Sequence, residues 1–423
     1  MTTLLAIGDI HLGRPPAAIP DRLRRSELEL APEAAWQACI DAACRHQVDA
    51  VLLAGDVVDR GRDFFVAYGE LERGVRALAE ADIPVIAVAG NHDTRILPRL
   101  ADEIPSLHLL GGGGKWERLE VAGIDILGWS FPQPVVRGNP LDELDLPSGD
   151  RPTIGLLHCD LDQADSPYAP VPRQALAETA LLAWLLGHIH RPDQLDQVPG
   201  DNQPVVGYLG SVTALRASET GDRGPWLVTV DERSFSARQL VLAPLRYEVI
   251  DIDCADLSDA SRLYELVLAE GRELATELSR RALPVRAVGL RLRLTGACPA
   301  SPDLPEAARQ LASEAQVWEE RGISLFIQKI SVETTPALDL ARLADQNDPA
   351  GLMARRIRWL ESSDSPERTA LINRARPALK AVLASREFRD LDCSLDEATI
   401  ADYLARAGRL ALTRMMAERE SRQ

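Results

Sequence analysis

Five short apolar runs in the first half of the chain each break off at a histidine, an aspartate or both. Residues 4–8 lead into Asp9, Ile10 and His11. Residues 50–54 lead into Gly55, Asp56 and, a little further on, Asp59. Residues 84–89 lead into Gly90, Asn91, His92 and Asp93, residues 153–157 into His158, and residues 183–186 into Gly187, His188, Ile189 and His190. The runs have no helical period and are bounded by glycine or polar residues, so they predict buried parallel strands. Polar residues delivered by several strands at one sheet edge mark the place where an α/β sheet binds its ligand. The glycines let the backbone turn tightly and pack close to such a site.

Each motif alone has a plain structural explanation. Asp-x-His is commonly a loop, Gly-Asp a turn, Asn-His-Asp after glycine a helix start, and His158 a hydrogen-bonded core histidine. Their joint occurrence in order is harder to explain that way. The chain has only seven histidines, five of them in these motifs, with His46 and His108 outside. Imidazole, carboxylate and amide donors spread over one domain are economically explained by a two-metal hydrolytic centre.

The motif set resembles the calcineurin-like metallophosphoesterase superfamily. Within it the chain is similar to the SbcD-type nucleases of DNA double-strand-break repair and to their YhaO-like branch. Tyr208, Leu209, Gly210 and Ser211, then Glu219, Gly221, Gly224 and the strand-like residues 226–230, support the narrower likeness. The resemblance implies an α/β fold, a calcineurin-like β-sandwich flanked by helices, with a small α/β capping domain and a helical C-terminal region. It implies one metal ion on Asp9, His11, Asp56 and His190, and another on Asp56, Asn91, His158 and His188, with Asp56 bridging.

This donor set suits Mn²⁺, Fe²⁺ or Zn²⁺ better than Ca²⁺ or an all-oxygen Mg²⁺ site, and the resemblance favours Mn²⁺. Two such ions, on the order of 3.5–4 Å apart, would clamp the attacking and leaving oxygens and lower the pKa of a bound water. His92 lies outside both ligand sets. By resemblance it faces the scissile phosphate, stabilising charge there or protonating the leaving oxygen. Asp93 is then either the partner that fixes the tautomer of His92 or a cap on the following helix. Position 59 is aspartate, where some repair nucleases carry a second catalytic histidine. Ala89 and Asp93 flank the Gly-Asn-His motif, which separates the chain from phosphoprotein phosphatases, where arginine and glutamate are typical.

Lysine and arginine number 47 against 64 aspartates and glutamates, for a net charge of 47 − 64 = −17. That excludes a basic, histone-like DNA binder and predicts weak unspecific affinity for nucleic acid. Metals and local arginines can still handle phosphates. Arg22, Arg24, Arg25 and Arg191 are the candidate DNA-phosphate contacts, and Arg14, Arg60 and Arg62 are also near the motifs. A solvated face pairing the Arg22–Arg25 segment with Glu27 and Glu29 is the competing explanation. Six cysteines without a C-x-x-C spacing fit buried thiols in a reducing compartment. The first residues lack a basic n-region and no run reaches transmembrane length, so a cytoplasmic location without membrane contact is expected.

Three domains are expected. Residues 1–244 form the metallophosphoesterase domain, with a hairpin over 116–129 and strands at 205–208, 226–230 and 239–242 completing a second sheet. Residues 245–335 form an α/β accessory domain. It has strands at 247–253, 288–294 and 323–332 and helices over 258–281 and 305–320. Residues 336–423 are helical, with starts at Asp348-Pro349 and Ser365-Pro366. Ser394 and Glu397 read as a capping box for a last helix over 395–420. Its apolar stripe is Ile400, Tyr403, Leu404, Ala407 and Leu410.

The resemblance implies a DNA substrate, an SMC-like coiled-coil ATPase of the SbcC type docked through the last helices, and a homodimer. The expected function is therefore a two-metal DNA nuclease in repair. The alternatives are a stand-alone phosphodiesterase or phosphatase acting on small nucleotides, and a non-catalytic DNA-binding scaffold. The intact ligand set argues against the scaffold.

Overall fold

A computed structural model describes residues 1–60, 64–145, 151–196, 203–231, 234–314, 317–363, 365–383 and 394–420. The chain divides into two compact units. One comprises Met1–Val249, Gly271–Arg291 and Ala315–Gln328; the other comprises Ile250–Glu270, Leu292–Glu314 and Lys329–Gln423.

Two sheets dominate the first unit. The larger has six strands in the order Phe235–Gln239, Trp226–Val230, Thr2–Ile7, Ala50–Ala54, Val85–Val88 and Leu107–Leu109. The last four are mutually parallel, with Leu4 opposite Ala50 and Leu52 opposite Ile86. The smaller has five strands in the order Val205–Tyr208, Ala183–Gly187, Thr153–His158, Ile124–Trp129 and Trp116–Val121. The last two are the expected hairpin, paired antiparallel from Trp116–Trp129 to Val121–Ile124.

Period-two alternation explains why the motif strands look uniformly apolar. In Thr2–Ile7, Leu4 and Ala6 enter a core shared with Ile126, Ile154, Leu156 and Leu185 of the smaller sheet. Leu5 and Ile7 turn to the opposite face. There they pack with Trp36 and Ile40 of the helix Pro32–His46 and with Leu71, Val75 and Leu78 of the helix Phe64–Ala79. On the outer face of the smaller sheet, Trp129, Trp184, Leu186 and Tyr208 form a third apolar layer. The result is the expected β-sandwich flanked by helices.

The strand assignments need two corrections. The five motif strands do not share a sheet: three lie in the larger and two in the smaller. Of the strands assigned to a second sheet, only Val205–Tyr208 is there. Trp226–Val230 runs antiparallel beside Thr2–Ile7, and the strand placed at 239–242 is Phe235–Gln239, at the edge of the larger sheet. Apolar content marks these segments as strands, but long-range pairing decides which sheet receives them. Arg62 lies outside the described residues.

Leu245–Asp253, Ala287–Thr295, Ile323–Val332 and Trp318–Glu320 form a four-stranded sheet in that order. The helix expected over 258–281 is Leu263–Arg280, and that expected over 305–320 is Leu304–Glu314. The second of these stops early because Trp318–Glu320 returns as a strand against Ile323–Leu325.

In the C-terminal part, Asp348 caps Pro349–Glu361 by accepting from the Gly351 N–H at 2.7 Å. Ser365 caps Pro366–Leu383 through the Arg368 N–H at 3.0 Å. The last helix is Glu397–Glu420, capped by Asp396 through the Thr399 N–H at 2.8 Å. Ser394 instead donates to the Asp396 carboxylate, so the N-cap lies two residues later than expected. The buried side of that helix holds Ile400, Ala401, Ala405 and Leu412, while Tyr403 and Leu410 of the expected stripe are exposed.

Candidate metal centre

The parallel strands Thr2–Ile7, Ala50–Ala54 and Val85–Val88 bring Asp9, Asp56 and Asn91 to one edge of the larger sheet. In the smaller sheet His158 stands in register with Gly187, so His158 and His188 emerge together. Two glycines permit the approach. A Cβ on Gly187 would lie 2.0 Å from the Ala54 carbonyl oxygen and 2.8 Å from Nδ1 of His158. A Cβ on Gly90 would lie 2.2 Å from Oδ1 of Asp56. Four candidate ligands carry left-handed backbones: Asp9 (φ 40°), His11 (φ 56°), Asp56 (φ 50°) and His188 (φ 100°). Such conformations cost about 1–3 kcal/mol each and persist only where surrounding structure enforces them.

The donors fall into groups. Asp9, His11 and His190 present ligand atoms all within 4.8 Å of one another, and so do Asp56, His158 and His188. Asp56 lies between the groups: its Oδ2 is 3.7 Å from Nε2 of His11 and 3.5 Å from Nε2 of His158. Oδ1 of Asn91 is 3.1 Å from Nε2 of His158 and 3.2 Å from Nδ1 of His188.

The surroundings orient the rings. His158 donates its Nδ1 proton to the Ala54 carbonyl at 3.0 Å. Its bare Nε2 therefore meets Asn91 Oδ1 lone pair to lone pair, a conflict that a shared cation would relieve. Nδ1 of His11 lies 3.0 Å from the Asp59 carboxylate and Nδ1 of His190 lies 2.8 Å from that of Glu219. Nε2 of His11 is buried and has no hydrogen-bond partner, which is costly unless a ligand takes its lone pair. The residues therefore fit a pair of divalent ions.

Electrostatics agree. Burial is the leading cause that pulls His11, His158 and His188 below the usual imidazole range, His188 to about 4, leaving neutral rings with lone pairs to offer. Burial pushes the Asp9 carboxyl well up, with the nearby Asp56 charge adding to it. Burial would also raise Asp56, but His158, His11 and His92 outweigh it and hold the carboxyl below its usual range. Buried carboxylates crowded together without compensating charge are unfavourable, and a cation supplies the compensation.

His92 is exposed at the mouth of the site. Its backbone N–H donates to Oδ1 of Asp56 at 3.0 Å, and its Nδ1 lies 2.9 Å from the Asp59 carbonyl oxygen. Of the two alternative roles expected for Asp93, partner of the His92 ring or cap on the following helix, the contacts of its carboxylate show neither. Its buried carboxylate accepts from the N–H groups of Val57 at 2.7 Å, Gly90 at 2.8 Å and Val58 at 3.4 Å. Burial first, and Asp56 second, raise its pKa to about 7. Asp93 thus ties two site loops together, and the Asp59 main chain orients His92.

A cavity of 420 Å³ opens over these residues, and its walls also include Arg14, Tyr168, Ile189, Arg216 and Glu219. The expected phosphate contacts Arg22, Arg24, Arg25 and Arg191 do not line it. Asp21–Ser26 is a 3₁₀ turn that buries Leu23, which turns the three arginines to solvent; Arg24 pairs with Asp21 at 2.8 Å. Arg14 and Arg216 are the arginines at the site. Glu219 was visible in the sequence only as part of the stretch after Tyr208, because nothing in its spacing reveals His190 as its partner.

Residues 2–192 match the calcineurin-like phosphoesterase family, and residues 247–335 match the middle domain of the metallophosphoesterase YhaO. The chain is 28% identical over 314 residues to the metallophosphoesterase YhaO of Bacillus subtilis, covering 70% of this chain and 72% of that protein. It is 27% identical over 269 residues to the DNA double-strand break repair protein Mre11 of Haloferax volcanii, covering 63% of this chain and 58% of that protein. A shorter match of 103 residues, 33% identical, links it to Mre11 of Aeropyrum pernix, covering 24% of this chain and 23% of that protein. With the motifs gathered at one site inside the matched segment, residues 2–192 are similar to the calcineurin-like phosphoesterases and residues 247–335 to a YhaO-type middle domain.

Proposed function

We propose that this protein is a two-metal phosphodiesterase whose substrate is DNA and whose role lies in DNA repair. The carrying observation is the convergence of two donor groups about Asp56, with the exposed His92 beside them. One ion would be held by Asp9, His11, Asp56 and His190, the other by Asp56, Asn91, His158 and His188, with Mn²⁺ the ion of choice. Bound ions supply Lewis-acid activation of the phosphate and a hydroxide-like water. His92, free at its outer face, stabilises phosphoryl charge or protonates the leaving oxygen. Arg14 and Arg216 meet the non-bridging oxygens.

Similarity to two Mre11 proteins supports DNA as the substrate. In this reading residues 1–244 are the nuclease domain, 245–335 cap it, and 336–423 dock an SMC-like ATPase, with the active species a homodimer in the cytoplasm. The net charge of −17 favours a second reading, a stand-alone enzyme for small nucleotide diesters.

A Mn²⁺-dependent assay on linear duplex DNA, hairpin DNA and a nitrophenyl phosphodiester separates the two. Cleavage of DNA that rises with the ATPase partner supports the nuclease. Far faster turnover of mononucleotide diesters than of any DNA establishes the second reading.

A further inference from the structure

Glu219 lies outside both proposed ligand sets, yet its two oxygens reach in different directions. Oε1 is 2.8 Å from Nδ1 of His190, and Oε2 accepts the N–H of Leu215 at 2.8 Å. The Glu219 N–H in turn donates to the carbonyl of Arg216 at 3.0 Å. One residue therefore closes the turn that presents Arg216 to the cavity and also holds the ring of His190. The buried Arg223 braces the same assembly. It donates to the Ser211 hydroxyl at 2.9 Å and to the Glu219 carbonyl at 3.3 Å, and also hydrogen-bonds the His190 carbonyl.

We infer that Glu219 is a positioning residue that couples the His190 metal site to the phosphate-binding arginine Arg216. This deepens the proposed metallophosphodiesterase function and rests on it. The physical basis is twofold. A carboxylate on Nδ1 fixes the tautomer of a histidine, aims Nε2 at a metal and raises its basicity; losing such a partner typically weakens metal affinity about 10–100-fold. The same carboxylate replaces water on an otherwise unpaired turn N–H, so the turn and Arg216 keep one arrangement.

The effect is local to one ion. His158 is oriented by a main-chain carbonyl and His188 contacts Asn91, and neither ring depends on Glu219.

The test is Mn²⁺ titration by calorimetry of chelator-stripped wild type, Glu219→Gln, Glu219→Asp and Arg216→Ala proteins, with diester kinetics alongside. Glu219→Gln should bind one of two ions about 10–100-fold more weakly, leave the other unchanged, and raise KM for the diester. Arg216→Ala should raise KM while keeping both metal affinities. Glu219→Asp, which keeps the charge on a shorter arm, should recover part of the metal affinity. Two ions bound as in wild type by a folded Glu219→Gln protein would overturn the coupling. Equal loss of both ions, with a lowered melting temperature, would make Glu219 a general structural residue and overturn it too. A wild type that binds no Mn²⁺, Fe²⁺ or Zn²⁺ would instead overturn the metallophosphodiesterase reading itself.

Discussion

At the residue scale, His92 separates chemistry from scaffolding. It is exposed, its N–H rests on Asp56 and its ring on the Asp59 carbonyl. Removing the imidazole, which packs edge-on against His11, deletes a proton donor or charge stabiliser without removing a proposed ligand. His92→Ala should retain fold and two ions while losing cleavage by about 10²-fold or more. Elemental analysis with single-turnover kinetics checks this, and undiminished turnover with metals present would make His92 structural. His188 gives a pH signature in the chelator-stripped protein. Burial, then His158, lowers its pKa to about 4 from the ordinary 6.5. Between those values the unfolded chain binds a proton that the folded chain refuses, so His188 costs increasing stability as pH falls through that window. Asp9 and Asp93, raised by burial, act in the opposite sense. The readout is therefore a difference: on going from pH 7 to 5, wild type should lose more thermal stability than His188→Gln. Parallel melting curves would contradict it.

At the element scale, the site depends on loops held at fixed distance where strands end. Asp93 provides one such tie, accepting from main-chain donors after Ala50–Ala54 and at Gly90. Truncation leaves buried N–H groups unpaired, at about 1–3 kcal/mol each. Asp93→Ala should lower urea stability by at least that much and weaken metal binding, although Asp93 is in neither ligand set. Stability and metal binding equal to wild type would remove this role. The motif strands themselves were legible, since unbroken apolar runs ending in glycine leave few alternatives. Their partition between two sheets was not, because pairing is a long-range property. The last helix shows the same division. Its existence follows from local sequence, but Tyr403 and Leu410 face solvent while Ala401 and Ala405 are buried. Helical periodicity defines a stripe, and only the neighbouring helices choose which side of it to cover.

At the scale of the whole molecule, every proposed ligand lies between Asp9 and His190, within the first compact unit, as does Glu219. Leu340, Leu343, Ile357 and Leu412 pack together in the C-terminal part, and Leu360, Ile372 and Ile400 form a second cluster there. Deleting residues 337–423 should therefore leave metal binding and small-diester hydrolysis intact while abolishing binding to the coiled-coil ATPase. Pull-down with that ATPase and diester kinetics on the truncated chain check the two halves. Loss of solubility or of hydrolysis would show the helices to be plain structure. Among the described residues no helix is long and apolar enough to cross a membrane.

The sequence by itself determined the likeness to the calcineurin-like phosphoesterases, the sandwich and the seven residues that converge as ligand candidates. Those features are written locally, in apolar runs and in the residue types that follow them. Tertiary structure decided the rest. It gave Asp93 to main-chain donors, placed Arg14 and Arg216 rather than Arg22–Arg25 at the cavity, and set Glu219 against His190 across 29 positions. Ligand identity follows from chemistry that each residue carries with it. Orientation depends on which atoms the fold brings within 3 Å, and no local pattern encodes that distance.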